Sequence, residues 1–561
     1  MLAVTLLGLV SALIPATAAQ MASHVEKALA GTTFDTLGGL QDQPIQVAIS
    51  TPTAGAVIRY TTNAEPPTAS RGTPYTGPLT LSHTTLLRAA AFKEGQPPSP
   101  VDTRTYVFVA DVRRQGATPA GFPTHWGVNN GQPVPADYEM DPEIVEHPKY
   151  RDEFLPALRS LPSMFLTVAP GDLFDPKRGL YSNPRESGPD WERPVAVEFQ
   201  ESNQARGFRI EGGLRVQGGW NRRPEESPKH AFRLAFRKKY GAGKLHHPVF
   251  GVEGVREFDE LILRAGCNNT WLHWSGEERH RGDFLRDPWM RATYAAMGHL
   301  SARGRFVHLY LNGLYWGLYN LVERPAGPFV AAHLGGSPGK YDVRNGANLL
   351  EGNNVAWKEL VRRLEPGALQ SANPTPLTAL QPLLDLAAFA DYMLLNLYGA
   401  NGDWDAASNW YAARRRSPPG PFQFFVWDGE RNLEKATDDV VDYDAEDSPP
   451  RLFQRLRQLP AFRDLFAERA RLHLMGAGAL TPGPAAARFE ALAREIDSAV
   501  IAESARWGDY RRDAHRYKTG PYELYTRNDH WRPEIRRLRE EYFPRRTAVL
   551  IQQLKDRQLF R

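Results

Sequence analysis

NGDWDAASNWYAARRRSPPGPFQFFVWDGE, residues 401–430, holds two apolar and aromatic runs at 410–413 and 422–427. The turn Ser-Pro-Pro-Gly at 417–420 separates them, a pattern typical of a β-hairpin. Because a hairpin brings its outer ends together, the polar residues outside both strands should meet at one end of the ribbon. These residues are Asp403, Asp405 and Asn409 before the first strand, and Asp428 and Glu430 after the second.

Four carboxylates and one amide at one end of a hairpin predict a cation site. Like charges that lie so close are costly unless a cation neutralises them. All-oxygen ligands suit a hard cation such as Mg²⁺, which proteins hold with a few carboxylates together with substrate phosphates. The alternative is an acidic hairpin whose charges are solvated. The strand-rich pattern before the hairpin and the helix-rich pattern around it favour the cation site.

Length and composition are those of a soluble globular protein with several domains. The chain has 561 residues, of which 42% are hydrophobic and 24% charged. Its net charge of +4, from 68 basic and 64 acidic residues, is too even to indicate nucleic acid or an anionic membrane as a partner. The single cysteine, Cys267, excludes an intramolecular disulfide and a thiolate metal cluster.

The amino terminus has the features of an export signal. Residues 2–19 are apolar and uncharged, and the small residues at 16–19 resemble a signal-peptidase site. We therefore expect a signal peptide over residues 1–20, an exported protein, and no membrane span once the signal is removed. The alternative, a short membrane anchor, is disfavoured because the run is barely long enough and Pro15 interrupts it.

The rest of the chain predicts an α+β protein. Short β-rich runs between Pro, Gly and Ser turns at residues 40–110 indicate a small all-β sandwich, and residues 111–162 form a Pro-rich connector with one helix near 148–161. After the connector, the pattern predicts an antiparallel sheet with one or two helices on a face, and it becomes helical from Lys358 onward. Predicted strands are 163–168, 195–199, 207–217, 231–236, 260–264, 306–311 and 315–322; predicted helices are 288–297, 357–364, 384–398, 449–474 and 485–504.

Two resemblances follow from particular stretches. Residues 60–106, YTTNAEPPTASRGTPYTGPLTLSHTTLLRAAAFKEGQPPSPVDTRTY, resemble the chitobiase/β-hexosaminidase C-terminal-type module, an accessory domain of exported bacterial proteins. The resemblance implies no catalytic residues there, and either glycan or surface contact or a spacer role.

From residue 163 to the end, the chain resembles the CotH family of kinase-like proteins, named for the spore coat protein. The pieces that carry this resemblance, in the family's order, are GGLRVQGGWNRRPEESPKHAFRLAF (212–236), FLRDPWMRATYAAMG (284–298), LYLNGLYWGLYNLVER (309–324), NGDWDAASNWY (401–411) and FFVWDGE (424–430). The resemblance implies a two-lobed protein-kinase-like domain at 163–561, with a small lobe at about 163–325 and a helical lobe at about 326–561. It also implies Mg-ATP-dependent phosphotransfer to protein substrates.

Protein kinases arrange their catalytic groups in the same order, with an Asp and then an Asn opening a hairpin that a metal-binding Asp closes. By resemblance, Asp403 is the catalytic base or orients the acceptor hydroxyl, and Asp405 competes for that role. Asn409 and Asp428 would be metal ligands, joined by Glu430, which stands where the family often has a second Asp.

Three residues are predicted to bind the nucleotide, Lys229 and Glu323 by the resemblance and Arg215 because it lies near Lys229 in sequence. Lys229 precedes the strand at 231–236 and would reach the ATP phosphates. Arg215 would add a phosphate contact. The alternative for Lys229 is a solvated lysine, and Asp287 and Glu278 are weak candidates for its acidic partner.

Glu323 is the third of these residues, and it ends the strand that leads toward the adenine-binding hinge. Its alternative role is a surface ion pair with Arg324 or Lys340.

Three functions from different classes are consistent with these features. The leading one is an exported atypical protein kinase that uses ATP with Mg²⁺ or Mn²⁺ to phosphorylate a hydroxyl of an exported or surface protein. Since ATP is scarce outside cells, a catalytically weak kinase-like binding or surface-assembly protein is the second. The third is a carbohydrate-active or glycan-binding surface protein, suggested by the accessory module and the paired carboxylates.

Overall fold

The computed structural model describes residues 28–202, 207–252, 254–369, 376–404 and 408–560. The predicted signal peptide and the candidate residue Asp405 lie outside these ranges. The described chain is a mixed α+β structure, in which β-rich regions precede a largely helical one. Within it, no helix has the length and apolar character needed to cross a bilayer.

The amino-terminal region of the described chain is β-rich. Its strands are β1 (Thr33–Phe34), β2 (Gly39–Gln41), β3 (Ile45–Val47), β4 (Ile49–Ser50), β5 (Val57–Thr61), β6 (Thr73–Pro74), β7 (Leu79–Leu81), β8 (Thr85–Phe92) and β9 (Asp102–Phe108). They form a five-stranded sheet, in the order β2-β9-β8-β5-β6, and two two-stranded sheets, β1-β4 and β3-β7. Apolar residues from these sheets, including Val47, Leu87 and Tyr106, share one core, as alternating inward positions require.

The Pro-rich segment that follows is ordered against the next region. The side chain of Gln115 donates to Tyr315 O (3.2 Å) and accepts from Tyr315 N–H (2.8 Å), and the buried Trp126 indole donates to the Tyr138 hydroxyl. Its elements are α1 (Val109–Arg113), β10 (His125–Asn129), β11 (Gln132–Pro135), α2 (Pro142–Val145) and α3 (Arg151–Ala157).

A seven-stranded barrel occupies the next region. The elements there are β12 (Ser163–Thr167), α4 (Pro170–Phe174), β13 (Arg193–Gln200), β14 (Gly207–Gln217), β15 (Ala231–Ala235), β16 (Leu245–His246), β17 (Glu257–Phe258), β18 (Glu260–Arg264), α5 (Gly276–His280), α6 (Arg286–Ala296), β19 (Gly304–Leu311) and β20 (Leu314–Val322). The barrel strands follow the order β12-β13-β14-β15-β18-β20-β19. All seven predicted strands are present, and the predicted sheet is antiparallel except that parallel pairing of β12 with β19 closes it into a barrel, a long-range contact that local patterns do not reveal.

The remaining region is mainly helical. Its elements are α7 (Gly327–Leu334), β21 (Tyr341–Asn345), β22 (Asn348–Glu351), α8 (Val355–Arg363), α9 (Pro366–Leu369), α10 (Leu377–Leu380), α11 (Leu386–Gly399), β23 (Trp410–Arg415), β24 (Gln423–Val426), α12 (Pro449–Leu456), α13 (Pro460–Leu474), α14 (Pro482–Ile496), α15 (Ala499–Trp507), α16 (Tyr510–Asp513), α17 (Arg532–Arg537) and α18 (Phe543–Lys555). The predicted hairpin is β23–β24, in which Trp410 pairs with Val426. Two short strands that the sequence did not predict, β21 and β22, extend the hairpin into a four-stranded sheet.

Two helices interlock the barrel with the helical region. Helix α6, which precedes two barrel strands in sequence, packs into the helical core through Trp289 and Met290. Helix α15, near the carboxyl end, packs on β20 and α3. The domain limits predicted from sequence stay predictions. Helix α6 lies among the barrel strands in sequence but packs in the helical core, and helix α15 follows the helical segments but packs on the barrel strand β20.

Candidate functional site

A cavity of about 720 Å³ lies between the barrel and the helical region. Its barrel side consists of the loop after β14, part of β18 and the loop that follows β18. Its other side consists of residues from both ends of the hairpin β23–β24 and from the loop that continues to residue 440. The volume is that of a site for a small molecule or cofactor.

The segment before the first hairpin strand and the segment after the second both contribute to this cavity. Asp403 and Asn409, which precede β23, line it together with Asp428 and Glu430, which follow β24. This convergence results from the antiparallel pairing of the two strands, as the sequence pattern predicted. Asp405 lies outside the described residues.

Asp403 and Asn409 are held by local hydrogen bonds. The Asn409 side-chain amide donates to the Asp403 carbonyl (2.6 Å), and the Asp403 N–H donates to the Asn401 side chain (3.1 Å). These bonds fix the chain that leads into the hairpin, so both side chains have a defined backbone position at the cavity wall.

Arg264, at the end of β18, is the cation at the centre of the acidic cluster. Its guanidinium contacts Asp428, lies 2.6 Å from Glu430 Oε1 and 3.4 Å from Asp287 Oδ2, and lies over the Trp427 ring. Sequence reasoning missed this residue as a site component. The signal was present in Glu-Leu-Ile-Leu-Arg, where a charged residue ends an otherwise apolar strand.

Glu430 is buried and crowded by charge. Its Oε2 accepts hydrogen bonds from the backbone N–H groups of Cys267 (3.0 Å) and Asn268 (2.9 Å). Burial, with the negative charges of Asp428 and Asp287, raises the pKa of Glu430 to about 7 in spite of Arg264. A carboxylate in this state is one that an added cation would stabilise.

The ionic cluster carries an excess of negative charge. Arg264 pairs with three carboxylates, Asp287, Asp428 and Glu430, and among the described residues only Asp287 of these has a further arginine, Arg291, at 3.0 Å. With all five groups ionised, two positive charges face three negative ones. The side chain of Asp428 remains 39% exposed, so this excess is accessible from the cavity.

Lys229 does not line the cavity. It is 2% exposed, and its ammonium donates to Glu503 Oε1 (2.6 Å) and to the Leu318 carbonyl (2.7 Å). It is therefore not a solvated lysine, and its ammonium is held by Glu503 and the Leu318 carbonyl. Its acidic partner is Glu503 on α15, and not Asp287 or Glu278, the candidates considered from sequence.

Arg215 and Glu323 also lie away from the cavity wall. Arg215 donates two hydrogen bonds to Glu192 Oε2, at 2.8 and 2.6 Å. Glu323 is buried and pairs with Arg303 (3.1 Å) and His333 (2.9 Å), and not with Arg324 or Lys340 as in its alternative role of a surface ion pair. Of the charged groups that sequence assigned to the nucleotide, none is brought to the acidic cluster, and Arg264 stands there instead.

An aromatic pair forms part of the cavity mouth. Trp220, in the loop after β14, is 55% exposed, and its ring centroid lies 5.7 Å from that of Trp274. Arg223 stacks over Trp220 at 3.8 Å. Gly218, two residues earlier, has φ +108°, which favours glycine and allows the loop to turn toward the cavity. This rim offers a flat apolar surface beside the charged groups.

A second cluster of candidate ligand atoms, from His280, Glu523 and His530, lies elsewhere, with these atoms within 4.8 Å of one another. His530 Nδ1 accepts a hydrogen bond from the Thr526 N–H (3.1 Å), so the neutral ring carries its proton on Nε2, the nitrogen 2.9 Å from Glu523. Metal binding at Nε2 would move that proton to Nδ1, where it would face the Thr526 N–H. The cluster is therefore better suited to hydrogen bonding than to metal ligation.

Sequence comparison assigns this chain to a protein family. The sequence model of the CotH kinase protein family matches residues 214–549, which are more than half of the chain and include all the residues that line the cavity. The chain belongs to the CotH kinase protein family. In this CotH protein, the amino-terminal β-rich region matches the chitobiase/beta-hexosaminidase C-terminal domain over residues 36–103. Both resemblances predicted from sequence are confirmed. A search of curated proteins finds no significant match.

Proposed function

We propose that this CotH-family protein is an atypical, two-lobed kinase that transfers a phosphoryl group from ATP to a protein hydroxyl. The observation that carries the proposal is that Asp403, Asn409, Asp428 and Glu430 line one cavity between the barrel and the helical region. In this proposal the barrel acts as the small lobe and the helical region as the large one, as in kinases, where nucleotide lies between two lobes.

The residues at the cavity fit a hard divalent cation. Asp428, Glu430 and Asn409 offer carboxylate and amide oxygens, and the cluster has more negative than positive charge. These three residues would hold Mg²⁺ or Mn²⁺, which supplies charge neutralisation for the ATP phosphates when bound. The negative excess supports this assignment, because a cation would relieve the crowding of Asp428 and Glu430.

Arg264 takes the place that sequence gave to Lys229. It extends from a barrel strand to the proposed metal ligands, whereas Lys229 is enclosed with Glu503. A guanidinium at this position can donate to phosphate oxygens in a fixed planar geometry. Its aromatic contact with Trp427 keeps it on the cavity wall.

Asp403 is the proposed group for the acceptor hydroxyl. It precedes the first hairpin strand, whereas Asp428 follows the second, so Asp428 would hold the cation and Asp403 would orient the hydroxyl. A carboxylate in hydrogen-bond reach of the hydroxyl would accept its proton during transfer. Export and a surface-protein substrate belong to the same proposal, and residues 2–19 and the accessory module support them.

A second candidate function, a catalytically weak binding protein, is favoured by one contact. Arg264 pairs directly with Asp428 and Glu430, which partly neutralises the proposed ligands without a cation. The accessory module match supports glycan contact for either function.

The test is a melting series with and without Mg-ATP, combined with phosphate incorporation into a protein acceptor. We expect Mg-ATP to stabilise the wild type and Asp403→Asn, but Asp428→Asn much less, because that change removes a ligand charge. We expect Asp403→Asn to slow transfer by roughly 10²–10⁴-fold. The control is Asp152→Asn on α3, whose side chain is 84% exposed and outside the cavity. Equal Mg-ATP shifts in wild type and Asp428→Asn would remove the metal role, and binding without phosphate incorporation would favour the binding protein.

A further inference from the structure

Asp287 is a buried carboxylate that connects helix α6 to the acidic cluster. It is the second residue of α6 and is 2% exposed. Its Oδ1 accepts a hydrogen bond from the Gly429 N–H (3.1 Å), and Gly429 lies between Asp428 and Glu430. The peptide between the two proposed metal ligands is therefore held directly by this side chain.

The other oxygen of Asp287 contacts both arginines of the cluster. Oδ2 accepts from Arg291 Nε (3.0 Å) and lies 3.4 Å from Arg264 Nε. Burial alone would raise the pKa of Asp287, but Arg264 and Arg291 outweigh it and hold the pKa below its usual value. Asp287, which does not line the cavity, is thus a stable negative charge beside Arg264.

Arg291 in turn is held by neutral acceptors. Its remaining nitrogens donate to the Ala302 carbonyl (3.2 Å), just before β19, and to the side chain of Asn320 (2.6 Å), which belongs to β20. Asp287 and Arg291 therefore fix the start of α6 to a barrel strand on one side and to the loop after β24 on the other.

We propose that Asp287 is a positioning residue that shares the charge of Arg264 and thereby leaves Asp428 and Glu430 able to bind a divalent cation. This inference rests on the proposed function of the cavity. With Asp287 ionised, the five charged groups sum to minus one; without its charge, Arg264 and Arg291 would fully balance Asp428 and Glu430. The same side chain also holds the Gly429 N–H, which lies between the two ligands in the chain.

The charge sum can be changed in both directions with single neutralising substitutions. Asp287→Asn brings it to zero, Arg264→Gln brings it to minus two, and the double variant restores minus one. Asp283→Asn is the matched control, because Asp283 is also a buried carboxylate beside α6 but pairs with Arg286.

The experiment is calorimetric titration of the full chain with Mn²⁺ alone, at about pH 8, so that Glu430 is ionised. We expect Asp287→Asn to weaken Mn²⁺ binding on the order of tenfold or more, and Arg264→Gln to tighten it, since each change alters one charge near the ion. The double variant should return close to wild type, and Asp283→Asn should leave affinity unchanged. A purely structural role for Asp287 would instead weaken both variants that carry Asp287→Asn.

The outcomes separate this inference from the proposed function. No Mn²⁺ binding by the wild type overturns the cation site itself, and the inference with it. Wild-type binding with equal affinity in Asp287→Asn overturns the inference and leaves the site intact. If Asp287→Asn does not fold, Arg264→Gln still decides: tighter binding supports charge sharing, and unchanged or weaker binding overturns it.

Discussion

Two ionic centres in this protein pair a cation of the barrel region with carboxylates from later in the chain. They differ in how much unbalanced charge and solvent access each one keeps. Lys229 and Glu503 are each 2% exposed, and both oxygens of Glu503 receive a donor, one from Lys229 and one from the Leu318 N–H. At Arg264, the carboxylates outnumber the cations and Asp428 is 39% exposed at a cavity. The comparison teaches that a buried ion pair becomes a candidate site only where charge and access are both left over.

Breaking the closed pair should have the largest effect. We expect Lys229→Met to lower the free energy of unfolding by about 3–5 kcal/mol, because it leaves Glu503 buried without its cation. The double variant Lys229→Met/Glu503→Gln should recover much of this loss, since the new side-chain amide would be neutral and its oxygen could still accept from the Leu318 N–H. Denaturant unfolding of both variants and of Glu503→Gln measures the coupling. A loss of unfolding free energy below about 1 kcal/mol for Lys229→Met would show that the Lys229–Glu503 pair contributes little to holding α15 on the barrel.

Local sequence patterns predicted most elements but not the partners of charged side chains. The strands Gly207–Gln217 and Glu260–Arg264 have the bounds expected from their β-rich runs, and the hairpin at 410–426 follows from its turn. Lys229 and Glu503 are separated by 274 positions, so no local pattern could pair them. The phosphate-binding role of Lys229 was implied by the family resemblance and by its place before a strand, and neither indicates which carboxylate pairs with it.

The candidate site could also be predicted only where it depends on local geometry. Convergence of Asp403, Asn409, Asp428 and Glu430 could be predicted, because hairpin geometry is local. The central place of Arg264 could not, because it depends on how the barrel strand β18 approaches the loop after β24.

The predicted helix over 449–474 is two helices, since Pro460 begins the second and lacks the N–H needed to continue the first.

The closed centre should take no part in nucleotide binding. At a Mg-ATP concentration about 100-fold above Kd, the wild type should gain about 2.7 kcal/mol of stability by mass action. We expect the same gain in Lys229→Met/Glu503→Gln, because neither residue lines the cavity. Thermal or denaturant unfolding with and without Mg-ATP measures the gain. Its loss in this well-paired double variant would return to Lys229 the phosphate-binding role that sequence assigned to it.

The smallest effect should come from the open centre without ligand. Asp428 has φ +58°, a left-handed conformation that asparagine tolerates, so Asp428→Asn changes the charge with little backbone cost. The change removes one of the three carboxylates that share Arg264, and the side chain is partly solvated. We therefore expect the metal-free variant to be as stable as wild type or more so, within about 1 kcal/mol. The matched change in the closed centre, Glu503→Gln, should be destabilising under the same conditions, because it removes the carboxylate that is hydrogen-bonded to a buried lysine. Denaturant unfolding of both single variants in EDTA provides the comparison. A large loss in Asp428→Asn would mean that its pair with Arg264 stabilises the fold as Lys229–Glu503 does, and the contrast between an open and a closed centre would fail.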